Sequence, residues 1–225
     1  MQKGKKYKNH SIILIVILLI SFLINIFVYI DNIEYKHRVG INSYKNIESI
    51  KVKNDKTLEI VNKAIEVNKI SNEELLTLYT NYSDISDCVI ELWDDYKFYS
   101  ENDSNSLFKK NIDTSSIIEN EVYSRIESYL SNTLINIMNT EKNELLLKEK
   151  DLRDFIVMKD LSTKMNDIFL EFNETTLKGI DGKEKEKVVV KKKYWIDVLN
   201  KINRTSSEYI DYDFTRDVSV SKVIY

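Results

Sequence analysis

The segment IILIVILLISFLINIFVYI, residues Ile12–Ile30, contains no charged side chain. As an α-helix rising about 1.5 Å per residue, it would be about 28 Å long, which matches the hydrocarbon thickness of a bilayer. Each central Ile, Leu, Val or Phe favours insertion by about 0.3 to 0.6 kcal/mol, and together they outweigh Asn25. The sequence therefore predicts one transmembrane helix that contacts the lipid bilayer through residues 12–30.

Charged residues are distributed differently on the two flanks of this segment. The N-terminal flank has four basic side chains, Lys3, Lys5, Lys6 and Lys8. On the other flank Asp31 and Glu34 come first, before Lys36 and Arg38. Because positively charged flanks stay in the cytoplasm, we expect a single-pass protein of the cell membrane with a cytoplasmic N-terminus and an extracytoplasmic C-terminal domain.

The apolar segment is expected to stay attached as a signal anchor. Signal peptidase requires small residues just after the apolar run, and residues 29–35, YIDNIEY, contain none. The expected organisation is a basic cytoplasmic N-terminus (1–11), the anchor (12–30), a juxtamembrane linker (31–43), an extracytoplasmic helical domain (44–203) and a C-terminal tail (204–225).

Composition favours helices and argues against nucleic acid as a partner. The chain has no proline and four glycines, so it has few of the residues that punctuate a many-stranded fold. The net charge is −3, and the part after the anchor is more acidic still. Such a domain repels phosphate backbones. Cys88 is the only cysteine, which excludes an intramolecular disulfide, and we expect it to be a small core residue.

Apolar residues at spacings of three and four predict several amphipathic helices after the anchor. Ser71 and Glu74 form a capping box before the clearest of them. The predicted helices cover about 44–67, 71–96, 118–137, 145–172 and 194–202, with a polar loop at 101–116 and a turn at 179–182. Since each apolar stripe must be buried against another, the predicted fold is mainly α, a helical bundle.

One alternative fold is α+β, with a long membrane-proximal helix and a small sheet. Residues 88–99 could form a hairpin around Asp94 and Asp95, and residues 188–190 could pair with a weak strand in 217–225. Short apolar runs do not distinguish these two folds.

The sequence contains no recognisable catalytic or cofactor motif. Its two histidines, His10 and His37, have no second histidine or cysteine at metal-ligand spacing. Four glycines do not provide a phosphate loop, a dinucleotide fingerprint or a nucleophile elbow. We therefore expect no enzyme activity, no cofactor and no metal.

Two groups of side chains are candidates for binding. An acidic face comprises Asp84, Asp87, Glu91 and Asp95, which a helix would align and which could bind a cation or a basic partner. An aromatic group comprises Trp93, Tyr96, Phe98 and Tyr99, residue types that are frequent in protein interfaces. The competing interpretations are a solvated helix face for the acids and core packing for the aromatics.

These observations lead to two functional hypotheses. The first is a membrane-anchored interaction module that binds another envelope protein or forms a homo-oligomer. The second is a sensory or small-ligand-binding ectodomain that signals through a separate partner. A helical bundle with an exposed apolar groove favours the first hypothesis, and a central sheet with a closed apolar pocket favours the second.

Overall fold

The computed structural model describes residues 3–102 and 121–215 of the chain. Its elements in chain order are α1 (Lys3–Val67), β1 (Lys69–Ser71), α2 (Asn72–Asn102), α3 (Val122–Asn139), β2 (Glu144–Leu146), α4 (Glu149–Glu171), a π-helical turn (Phe172–Thr176), α5 (Gly182–Lys192) and α6 (Tyr194–Ser207). The predicted mainly helical fold is therefore confirmed. Residues 31–43, expected to be a linker, lie within α1.

The chain divides into two compact units, residues 1–39 and residues 40–225. In the first unit, the apolar side chains of Ile12–Ile30 are exposed, from 40% at Ile26 to 73% at Phe27. Among the described residues, this is the one helix that is long and apolar enough to cross a membrane.

The second unit buries an apolar stripe from each long helix. Its core includes Ile47, Ile50 and Val61 of α1, Leu75, Leu78, Tyr82, Ile85 and Leu92 of α2, Val122, Ile126 and Leu130 of α3, Phe155, Met158 and Leu161 of α4, and Trp195, Val198 and Leu199 of α6. These positions recur every three or four residues, as expected for helices that pack on one face. The unit is thus a helical bundle.

The predicted capping box begins α2. The Glu74 backbone N–H donates to Ser71 Oγ at 3.2 Å, and the Ser71 N–H donates to Glu74 Oε2 at 3.2 Å. Two backbone donors that the helix itself leaves without partners are satisfied in this way.

A two-stranded antiparallel sheet is present, formed by different residues from those suggested by the α+β alternative. Lys69 pairs with Leu146, Ile70 with Leu145 and Ser71 with Glu144. The suggested hairpin at 88–99 is wrong, because these residues continue α2 and its buried face. Residues 188–190 lie in α5, and residues 217–225 lie outside the described part of the chain.

Two predicted boundaries also differ. Residues 144–146 form β2 instead of the start of a helix, because Leu145 and Leu147 are buried while Glu144 and Leu146 are exposed, the two-residue period of a strand. Residues 204–215 of the expected tail include the last turn of α6, and Phe214 among them is buried.

Candidate partner-binding site

The predicted aromatic group is divided between the core and the surface. Tyr96 and Tyr99 are buried, whereas Trp93 and Phe98 are half-buried. The Trp93 and Tyr96 rings meet edge to face with centroids 5.9 Å apart. Tyr99 meets Trp195 of α6 at 5.8 Å in the same way. At least Tyr96 and Tyr99 therefore contribute to packing, because their rings lie inside the bundle.

Most of the predicted acidic face lies against α1. Asp84 pairs with Lys53, and Glu91 accepts a hydrogen bond from Asn46 Nδ2 at 2.9 Å. Asp95 Oδ2 accepts one from Ser43 Oγ at 2.8 Å. These pairs belong to what we call the α1–α2 polar seam.

The polar seam has one constant antiparallel register along the two helices. At its far end Lys63 Nζ lies 2.6 Å from Glu74 Oε1. From one pair to the next, the α1 residue moves towards the C-terminus of α1, and its partner moves about the same number of residues towards the N-terminus of α2. Among the four predicted acids, Asp87 is exposed and lies outside these pairs. Binding of a cation or basic partner by this face stays a prediction.

Burial in the seam changes the acidity of two groups. It raises the pKa of the Asp95 carboxyl, while hydrogen bonds from Ser43 and Asn42 act in the opposite direction. It also raises the pKa of the Cys88 thiol, which is half-buried rather than fully in the core as expected. A raised pKa lowers the fraction of thiolate, which is the nucleophilic form of cysteine, at neutral pH.

Two buried polar atoms in the seam have no hydrogen-bond partner among the described residues. They are Thr57 Oγ1 and Asn81 Nδ2, on side chains that are 0% and 3% exposed. The register of the neighbouring pairs places these two residues at the same height on α1 and α2. An unpaired buried polar group costs about 1–3 kcal/mol, so these two atoms lower the stability of the seam at this level.

A cleft of about 450 Å³ that the sequence does not predict lies between α3 and residues 211–215. It is lined by Arg125, Ser128, Tyr129, Asn132, Asp211, Tyr212, Asp213, Phe214 and Thr215. Arg125 donates to the backbone carbonyls of Tyr212 at 3.0 Å and Tyr209 at 3.2 Å, which fixes this segment against α3. We call this site the C-terminal cleft.

A buried carboxylate supports one wall of the C-terminal cleft. Asp154 is 0% exposed and accepts hydrogen bonds from Tyr212 Oη at 2.8 Å and Lys150 Nζ at 3.2 Å. Lys150 also donates to the Asp213 carbonyl at 3.0 Å. Two features of the sequence belong to this cleft, the aromatic residues within 209–214 and the spacing of Lys150 and Asp154. Neither feature predicts that segments so far apart in the chain are in contact.

Exposed apolar side chains lie on the outer side of α2 and α3. Leu76 is 53% exposed, Ile135 is 44% exposed and Met138 is 72% exposed. The Ser86 and Ser124 hydroxyls are 2.9 Å apart, and Asn72 Nδ2 donates to the Lys142 carbonyl. Because these contacts fix an antiparallel register, Leu76 lies at the height of Ile135. We call these three residues the α2–α3 patch.

The described residues contain no group of three or more His, Cys, Asp or Glu side chains that could hold a metal ion. The described residues provide a surface with exposed apolar groups and, in the C-terminal cleft, a site with charges of both signs. No protein-family model, curated protein or solved structure matches this chain.

Proposed function

We propose that this chain is an interaction module anchored in the cell membrane. Its N-terminus lies in the cytoplasm, and its bundle lies outside, where it binds another envelope protein or a second copy of itself. The anchor is supported by the exposed apolar side chains of Ile12–Ile30. The orientation is supported by the four lysines that precede them.

The observation that carries the binding function is the α2–α3 patch. Apolar residues exposed singly are ordinary, but several at one level of a helix pair form a surface that gains free energy when a partner covers it. At about 25 cal/mol per Å² of apolar area, covering three such side chains contributes a few kcal/mol.

Site-specific photocrosslinking in intact cells tests the proposal. A photoreactive amino acid at Met138 is expected to capture one dominant protein, either another envelope protein or a second copy. Ile135→Glu should abolish the adduct. Ile156→Glu is the matched control, because Ile156 is 48% exposed on α4. Absence of any adduct at Met138, or equal loss with both glutamates, would contradict the proposal.

Cysteine labelling tests the orientation separately. In a Cys88→Ala background, a membrane-impermeant maleimide is expected to label Ser128→Cys in intact cells, because Ser128 is exposed. His10→Cys should react only after permeabilisation. The opposite pattern would show that the bundle lies in the cytoplasm.

The C-terminal cleft supports a second candidate function, a sensory or small-ligand-binding ectodomain. Arg125 offers positive charge, Asp211 and Asp213 offer negative charge, and Tyr212 and Phe214 offer aromatic faces. A small zwitterion with an apolar side chain, such as a free amino acid, fits this combination.

Thermal unfolding of the full chain with each free amino acid tests the second candidate. An increase in melting temperature that Tyr212→Ala removes would support it, since a ligand that binds only the folded state stabilises it. If no amino acid raises the melting temperature at millimolar concentration, this candidate loses its basis.

A further inference from the structure

The outer edge of β2 has backbone groups that the sheet does not use. The Leu147 N–H donates to the Asn68 carbonyl at 2.9 Å, and the Asn72 N–H donates to the Asn143 carbonyl at 3.3 Å. In an antiparallel ladder the residues between such pairs direct their N–H and C=O groups away from the partner strand. Glu144 and Leu146 therefore present two donors and two acceptors on the edge opposite β1.

A cleft lies beside this strand. It has a volume of about 300 Å³ and is lined by residues of β2, the last turns of α3 and the start of α4. Extended backbone continues to Lys148, whose φ and ψ are −128° and 149°. The usable edge is thus longer than the three residues assigned to β2.

The exposed side chains along this edge have a self-complementary order. Glu144, Leu146 and Lys148 are exposed, whereas Leu145 and Leu147 are buried at 7% and 3%. If two copies of the segment pair antiparallel about Leu146, the two leucines face each other. Each Glu144 then lies opposite Lys148 of the other copy, and opposite charges across a strand pair are stabilising.

We propose that this edge pairs with the same edge of a second copy, joining two small sheets into one four-stranded antiparallel sheet. This inference rests on the proposed function and specifies its partner as a second copy of this chain. The contact is isologous, so it closes as a dimer and uses the outer edge of β2 in both copies. Because the outer edge of β2 is paired in the dimer, it is also protected from nonspecific pairing with other chains.

Disulfide trapping of the full-length protein in detergent and in native membranes tests the register. Directly opposed residues in a hydrogen-bonded antiparallel pair have Cα atoms about 5.5 Å apart, within disulfide range. In a Cys88→Ala background, Leu146→Cys is expected to form a covalent dimer on mild oxidation. Ile156→Cys, exposed by 48% on α4, is the control and should stay monomeric.

A charge exchange then tests the proposed pairing. Glu144→Lys should abolish the Leu146→Cys dimer because it places lysine opposite Lys148. Adding Lys148→Glu should restore the dimer, although neither change restores the intramolecular ion pair of Glu144 with Lys69, which is 3.0 Å long. Far-UV circular dichroism checks that each variant is folded.

The outcomes separate this inference from the proposed function. A monomeric Leu146→Cys protein, or a dimer that Glu144→Lys leaves unchanged, would overturn self-pairing of β2. If Met138 still captures another protein in that case, the proposed interaction function stands. If Met138 captures nothing as well, both fail.

Discussion

Gly40 of α1 packs against Val190 of α5. Among the described glycines, it is the one at which an added Cβ would meet a neighbouring side chain. A Cβ added at residue 40 would lie 2.8 Å from Val190 Cγ1 and 3.5 Å from Val190 Cβ. Ordinary carbon–carbon contacts are 3.5 to 4.0 Å, so the Gly40→Ala substitution requires one of the two helices to move. Val190 is β-branched and has essentially one χ1 rotamer in a helix, which prevents an inexpensive rotation.

The magnitude follows from two opposing effects. Overpacking of this kind costs about 1–3 kcal/mol. Replacing glycine by alanine inside a helix gains about 1 kcal/mol. We therefore expect Gly40→Ala to lower the free energy of unfolding by about 0–2 kcal/mol, even though the same change on an exposed helix face would raise it.

Urea unfolding of the full chain in detergent, followed by far-UV circular dichroism, measures this effect. The decisive comparison is a double-mutant cycle with Val190→Ala, which removes the methyl groups that the new Cβ meets. In that background Gly40→Ala should become stabilising by about 1 kcal/mol. If Gly40→Ala changes the free energy of unfolding equally in the parent and in the Val190→Ala background, the contact with Val190 does not determine which side chain fits at position 40. That result would refute the reasoning.

Three further predictions concern the polar seam and the cap of α2. Thr57→Val should stabilise the protein by about 1 kcal/mol in urea unfolding, since it replaces a buried hydroxyl that has no partner by a methyl group; destabilisation would indicate an unseen bond. Asp95→Asn should be more stable than the parent at pH 7. Because the folded-state pKa of Asp95 is raised, ionisation disfavours the folded state, so this difference should shrink as pH falls through that pKa; a difference independent of pH would contradict it. Ser71→Ala should lower stability by about 1 kcal/mol, and an unchanged melting temperature would exclude a role for the capping box.

Local periodicity was sufficient to predict the long helices. Leu75, Leu78, Tyr82, Ile85 and Leu92 recur at helical spacing, and all are buried on one face of α2. The capping box was equally readable, because it involves residues only three apart. Features that depend only on residues within one or two helical turns can be predicted from the local sequence.

Contacts between distant segments could not be predicted in the same way. The acidic side chains of α2 were visible as a face, but their partners Lys53 and Asn46 are 31 and 45 residues away. Similarly, Tyr212 meets Asp154 across 58 residues. The strand β2 was missed for another reason, since three residues between two helices give too short a pattern to distinguish a period of two from one of 3.6.

The polar seam also restricts which alignments of α1 and α2 are possible during folding. A slip of one helical turn, about 5.4 Å, keeps both apolar stripes in contact, so burial alone discriminates weakly between alignments. The same slip separates Lys53 from Asp84, Asn46 from Glu91 and Lys63 from Glu74 at once. The half-buried pair of Lys53 with Asp84 contributes only about 0.2–1 kcal/mol. The seam therefore adds a small preference for the native alignment of α1 and α2, and a slip that brings Lys53 to the level of Asp87 gives this lysine another acidic neighbour.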